Sequence, residues 1–137
     1  MRLVIYADGA SRGNPGPAAF GAVILDAAGD EIRAIATPIG VATNNVAEYR
    51  GAIAGAQAAV ELGATEIELY MDSELIVRQL EGRYRVRNKG LKPLYSELTM
   101  LLGQLEHVVI RHVSRVHNQR ADELANAALD FEQEQED

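Results

Sequence analysis

The hydrophobic pattern of this chain changes period at Thr43, and that change restricts the folds open to it. Before Thr43 the apolar residues come in short runs separated by turn-formers. Leu3 to Ala7 is rich in β-formers and is bounded by Asp8-Gly9; a turn-rich loop through Gly13, Asn14-Pro15-Gly16 and Pro17 follows. Phe20 to Leu25 is a second run, closed by Asp26 to Asp30, and Glu31 to Ile39 alternates loosely. Three strands in an antiparallel meander are expected.

After Thr43, Val46, Ala47, Ile53, Ala56, Ala59 and Val60 recur near helical spacing in an alanine-rich stretch that stops at Gly63. Ile67, Leu69 and Met71 alternate with Glu66, Glu68 and Tyr70, as in a strand. Short helices are expected from Ser73 to Glu81 and from Leu91 to Leu105, a strand over Val108 to Val113, and a final helix from Asn118 to Phe131. The order β-β-β-α-β-α-α-β-α implies an α/β fold, a mixed sheet with helices packed on it.

With 137 residues, 47% of them apolar, the chain suits one domain around one core, expected over residues 1–131. The acidic stretch 132–137 is expected to be a disordered tail. No apolar run approaches the roughly 20 residues needed to span a bilayer, and the N-terminal run is too short for a signal peptide. A cytoplasmic monomer without membrane attachment is the expectation. There is no cysteine, so any metal must be held by oxygen or imidazole.

The net charge of −7 argues at first against a nucleic-acid partner, but its distribution matters more. Asp130, Glu132, Glu134, Glu136 and Asp137 crowd the last eight residues, while Arg83, Arg85, Arg87, Lys89 and Lys92 share a stretch free of acids. The sum therefore does not decide the partner.

Four acids stand at informative places. Asp8 and Asp72 each follow an apolar strand, Glu48 lies early in one helix, and Asp122 lies early in another. Each has an ordinary explanation. Asp8 fits an Asp-Gly turn, Glu48 a capping box with Asn45, Asp72 an N-cap, and Asp122 a surface acid favoured by the helix dipole. Their joint placement says more. If the strands before Asp8 and Asp72 are parallel neighbours, both carboxylates emerge at one sheet edge, where open α/β sheets bind ligands. Such charges about 4–5 Å apart repel by roughly 3–4 kcal/mol at an effective dielectric near 20, so four would need cations. Oxygen ligands select Mg²⁺ or Mn²⁺, and two such ions about 4 Å apart suit in-line phosphodiester hydrolysis.

Four motifs carry a resemblance over nearly the whole chain: Tyr6-Ala7-Asp8-Gly9-Ala10-Ser11-Arg12-Gly13-Asn14-Pro15-Gly16, Thr43-Asn44-Asn45-Val46-Ala47-Glu48-Tyr49, Asp72-Ser73-Glu74-Leu75, and Asn118-Gln119-Arg120-Ala121-Asp122-Glu123-Leu124-Ala125. In order and spacing they resemble type 1 ribonuclease H. The resemblance implies a five-stranded mixed sheet with strands 1 to 3 antiparallel, strands 1, 4 and 5 parallel, and helices on both faces. It implies a metal site of Asp8, Glu48, Asp72 and Asp122; from the convergence of these acids, two Mg²⁺ ions are expected there, with Mn²⁺ as the alternative and Asp8 shared between the two. It also implies endonucleolytic cleavage of the RNA strand of RNA/DNA hybrids, leaving a 5′-phosphate.

The same resemblance matches Gly9, Ser11, Asn14, Thr43, Asn44 and Asn45 to substrate contacts. Small polar groups and backbone amides suit the recognition of 2′-hydroxyls. Arg85 and Arg87, in Arg83-Tyr84-Arg85-Val86-Arg87-Asn88-Lys89, suit phosphates of the DNA strand, with a solvated loop as the rival explanation. The connection there looks too short for the basic helix that longer bacterial members insert. His117, between the last strand and Asp122, matches the position of a mobile histidine in better-known members; Arg115 competes for that auxiliary role. His112 and His107 read as structural and surface residues. Short-loop members make double-stranded RNA a second expected substrate. Two rival functions remain at this stage: a non-catalytic binder of hybrid or double-stranded RNA, and a nuclease of the same fold with a different duplex substrate.

Overall fold

The computed structural model describes residues 1–136. Five strands form one sheet: β1 (Arg2–Ser11), β2 (Gly16–Leu25), β3 (Glu31–Ala42), β4 (Glu66–Met71) and β5 (His107–His112). Their spatial order is β3-β2-β1-β4-β5, so β1 is central. It pairs antiparallel with β2 (Ala7 opposite Ala22) and parallel with β4 (Ala7 opposite Met71), and β4 pairs parallel with β5. The expected mixed sheet is thus the observed one.

Four helices cover it: α1 (Asn44–Glu61), α2 (Glu74–Leu80), α3 (Lys92–Leu102) and α4 (Gln119–Glu136), the last preceded by one 3₁₀ turn, Arg115–Asn118. The period-2 pattern decides which strand residues meet which helices. Leu3, Ile5 and Ala7 of β1 and Ile67, Leu69 and Met71 of β4 point to one face. There they form the main core with Tyr49, Ala52, Ala56 and Ala59 of α1, Ile76 and Val77 of α2 and Leu98 of α3. Gln79 of α2 accepts a 2.6 Å hydrogen bond from the Tyr49 hydroxyl, the polar link between α1 and α2 in this core. On the opposite face Ala19 packs with Ala128 and Leu129 of α4. Among the described residues no helix is long and apolar enough to cross a membrane.

The strands of the meander run further than their apolar runs. β1 was expected to end at Ala7 but continues to Ser11, because its antiparallel ladder with β2 persists to Ser11 opposite Ala18. Only the parallel partner β4 stops at Met71. Asp8 therefore sits inside a strand, at the point where one of its two neighbours ends. Nor is 132–137 a loose tail from its first residue: α4 continues to Glu136. Arg12 reaches that extension, donating to Asp130 Oδ1 at 2.7 Å and to Gln133 Oε1 at 2.6 Å. Asp137, the last residue of the expected tail, lies outside the described residues. Between α2 and α3 the chain forms turns, bends and irregular backbone and no helix, as the short connection implies.

Two glycines beside Asp8 allow both helix layers to seat. A Cβ on Gly9 would lie 2.3 Å from the backbone of Ala47 and Glu48, and one on Gly21, which pairs with Asp8, would lie 2.3 Å from the Ala121 carbonyl oxygen. Gly21→Ala must push α4 off the sheet or distort β2. Overpacking of this kind costs about 1–3 kcal/mol, or roughly 5–10 °C in Tm. A thermal melt by circular dichroism checks this; an unchanged Tm would show that α4 is not seated at Gly21.

Candidate active site

The ordinary explanations for the acids can be tested directly. Thr43, not Asn45, caps α1, its hydroxyl accepting from Val46 N at 3.3 Å. Glu48 thus makes no capping box. Ser73, not Asp72, caps α2, accepting from Ile76 N at 3.4 Å. Asp72 instead accepts a 3.0 Å hydrogen bond from Asn118 Nδ2, which also donates to Ala7 O at 3.0 Å. Asp8 is in a strand, not a turn, and its Oδ1 accepts from Gly9 N at 2.9 Å. The capping work is done by neighbours, which leaves the acids for another role.

One carboxylate oxygen from each of Asp8, Glu48 and Asp72 lies within 4.8 Å of the others. Asp8 and Glu48 are buried, at 4% and 8% exposure. Burial, the largest cause, pushes the Asp8 carboxyl up to about 7; a hydrogen bond with Glu48 works against that rise, and the charges of Asp72 and Asp122 add to it. Glu48 is held well above the ordinary carboxylate range, first by burial and then by Asp8. Its Oε2 is buried with no hydrogen-bond partner among the described residues. Such an atom is costly to leave unmatched, and a cation would satisfy it. The donor set, carboxylate oxygens alone, fits a hard divalent ion.

Asp122, in the first turn of α4, stands outside that triad but lines an open cleft of about 440 Å³ together with Asp8 and Glu48. Its Oδ1 accepts from Asn126 Nδ2 at 3.2 Å. Gly9, Ser11, Asn44 and Asn45 also line the cleft, with Arg12, Ser73 and Arg115. Several polar groups expected at the substrate also hold the scaffold. The Ser11 hydroxyl donates to Ala42 O at 2.7 Å, Thr43 caps α1, and Asn14 Oδ1 accepts from Asn44 N at 3.0 Å.

The two auxiliary candidates separate. Arg115 lines the acidic cleft, whereas His117 borders a different hollow with Tyr6, Asn118 and Arg120, its Nδ1 2.8 Å from Ser114 Oγ. The 3₁₀ turn explains this, since residues two apart on it point to different sides. His117 is therefore not brought to the carboxylates here. Arg85 lines a separate hollow with Arg83, Tyr84 and Lys92, and Arg87 is exposed. His112 Nε2 lies 3.2 Å from Asp72 O, in keeping with its structural reading, and His107 is exposed. Sequence reasoning missed Asn118, Asn126 and Arg12 as supports. Asn126 could have been found, four residues from Asp122 on one helix face; Arg12, a lone cation in a glycine-rich loop, follows no period.

With the geometry established, comparison with known proteins places it. A family model described as reverse transcriptase-like matches residues 6–128. The bifunctional protein Rv2228c of Mycobacterium tuberculosis is 50% identical over 95% of this chain, and ribonuclease HI of Halobacterium salinarum is 44% identical over 94%. The chain spans 36% and 65% of the lengths of those two relatives. The structure of LC11-RNase H1 in complex with an RNA/DNA hybrid superposes with a TM-score of 0.89 at 40% identity, covering 94% of this chain and 97% of that one. The chain belongs to the ribonuclease H family.

The raised carboxyls have a signed consequence. Both favour the protonated form in the folded state, so their contribution to stability is full below about pH 4 and is lost as pH rises through their folded values, about 7 for Asp8. A divalent cation offsets that loss by binding the ionised forms. The Tm gain on adding Mg²⁺ should therefore be small at pH 5 and large at pH 8, where about 100 times Kd of ion supplies ~2.7 kcal/mol. Calorimetry across this range checks it; a gain independent of pH would contradict the assignment.

Proposed function

We propose that this chain is an endonuclease that hydrolyses the RNA strand of RNA/DNA hybrids and leaves a 5′-phosphate on the product. The observation that carries the reading is the convergence of Asp8, Glu48 and Asp72 within 4.8 Å, with a partnerless buried oxygen on Glu48, on a ribonuclease H fold. The hybrid bound to LC11-RNase H1, a structure so similar in fold, supports the substrate class.

Asp8, Glu48, Asp72 and Asp122 would hold two divalent ions, Mg²⁺ or alternatively Mn²⁺, which when bound supply an activated water and charge neutralisation at the leaving 3′-oxygen. The remaining work belongs to the chain's own residues. Asn118 holds the Asp72 carboxylate beside Ala7 of β1. Gly9 lines the cleft beside Asp8, and Ser11, Asn44 and Asn45 offer small polar groups along it for 2′-hydroxyls and sugar-phosphate. Asn14 and Thr43 act indirectly, by setting where the start of α1 stands. Arg85 and Arg87 meet phosphates of the DNA strand, a contact that weakens with salt. Arg115, whose charge faces the cleft, is the auxiliary residue beside the scissile phosphate.

End-labelled RNA/DNA, RNA/RNA, DNA/DNA and single-stranded RNA, each with Mg²⁺, Mn²⁺ or EDTA, test the reading. Cutting of the hybrid that EDTA abolishes is expected, with double-stranded RNA cut more slowly; binding without cutting would favour a non-catalytic module. Asp8→Asn and Asp72→Asn should each remove several kcal/mol of transition-state stabilisation, about a 10³-fold loss of turnover, with the circular dichroism spectrum unchanged. Near-normal turnover in either would refute the metal assignment. Arg115→Ala should slow turnover about 10-fold or more, on the scale of losing one charge-stabilising group, while His117→Ala leaves it within about twofold. The reverse order would return the auxiliary role to His117.

A further inference from the structure

Asp122 is held differently from the other three acids. It is half-buried, outside the triad, and carried on a helix rather than on the sheet. Its side-chain donor among the described residues is the Asn126 amide, whose Nδ2 donates to Asp122 O at 3.0 Å and to Asp122 Oδ1 at 3.2 Å. On its other side that amide meets Arg12, whose Nη2 donates to Asn126 Oδ1 at 3.3 Å.

The chemistry of this chain of contacts is directional. A guanidinium has donors only and an ionised carboxylate acceptors only. An amide placed between them has one favourable orientation, with its oxygen toward Arg12 and its NH₂ toward Asp122. Turning the amide over would set an acceptor against the carboxylate and a donor against the guanidinium. Arg12 is itself fixed by Asp130 Oδ1 at 2.7 Å and Gln133 Oε1 at 2.6 Å, so its fork meets three acceptors on successive turns of α4. Its backbone belongs to the β1–β2 turn, where Arg12 N donates to Pro17 O at 2.8 Å. That same turn carries Asn14, which accepts from Asn44 N at the start of α1.

We infer that Arg12 is a positioning residue: acting through Asn126, it aims the Asp122 carboxylate at the metal site, so that the β1–β2 turn governs metal affinity as well as substrate contact. This rests on the reading of Asp122 as a ligand proposed above. The turn grips both helices that carry acids of the site, α1 through Asn14 and α4 through Arg12.

The test uses Arg12→Ala, Arg12→Lys, Asn126→Ala and the Arg12→Ala/Asn126→Ala double variant, each with two readouts. The first is the midpoint of Mn²⁺ binding in a calorimetric titration, measured without substrate. The second is the Mg²⁺ midpoint of hybrid cleavage, with KM for the hybrid at saturating metal. Losing a residue that orients a ligand typically costs about 10–100-fold in metal affinity or activity. Both midpoints should rise about 10-fold in Arg12→Ala and Asn126→Ala, with KM within about twofold. The double variant should be no worse than either single one. Arg12→Lys keeps a charge for Asp130, and hence the docking of α4, but cannot meet three acceptors in a fixed fork; it should show the same metal defect. A raised KM with unchanged midpoints, or multiplied effects in the double variant, would overturn the inference and make Arg12 a direct phosphate contact. The Mn²⁺ measurement needs no cleavage. Failure of the wild-type protein to cut hybrids would therefore sink the proposed function without obscuring this result.

Discussion

Everything at this site depends on how closely two helix backbones approach the strand that carries Asp8. Asp8 is followed by Gly9 and paired with Gly21, and a side chain at either position would collide with a helix. The first glycine admits the start of α1 and with it Glu48; the second admits the start of α4 and with it Asp122. Helices normally pack farther from a sheet because side chains intervene. Removing those side chains brings main chain against main chain and draws acids from two helices toward one strand.

This closeness has an electrostatic cost, and the surroundings offset only part of it. Burial drives Asp8 and Glu48 toward their protonated forms, while Asp72 and Asp122 raise Asp8 further by their charge. The protein spends other residues on holding the acids rather than neutralising them. Asn118 ties Asp72 to the Ala7 carbonyl, Gly9 N serves Asp8, and Asn126 serves Asp122. None of these supports carries a positive charge. Carboxylates held by neutral donors keep their own negative charge available for cations, while Arg12 and Arg115 line the same cleft without pairing with them.

Much of this was legible in the sequence, and the remainder was not for identifiable reasons. The change of period at Thr43 revealed the order of elements because each buries a single face. The four acids were visible together because each sat beside a recognisable element boundary. The boundaries themselves were less certain. β1 outlasts its apolar run because a ladder with β2 needs no side-chain signal, and α4 outlasts Phe131 because Arg12, far away in sequence, holds Asp130 and Gln133. Local pattern also misassigned the caps: Asn45 and Asp72 fit the rule, yet Thr43 and Ser73 beside them do the work. The turn of the 3₁₀ segment that separates Arg115 from His117 left no trace in composition.

The central place of β1 has a consequence for the order in which the molecule can be built. Its parallel neighbour β4 arrives only after the whole meander and α1 have been made, and Asn118 must return across 111 residues to reach the Ala7 carbonyl. Contacts of such long range form late, because closing the intervening chain is entropically opposed until the core is in place. Asp8 is the first of the four acids to leave the ribosome and the last to acquire its full company. A nascent or half-folded chain thus exposes the separate acids without the constellation, and capacity to hold cations arises together with the completed fold rather than ahead of it.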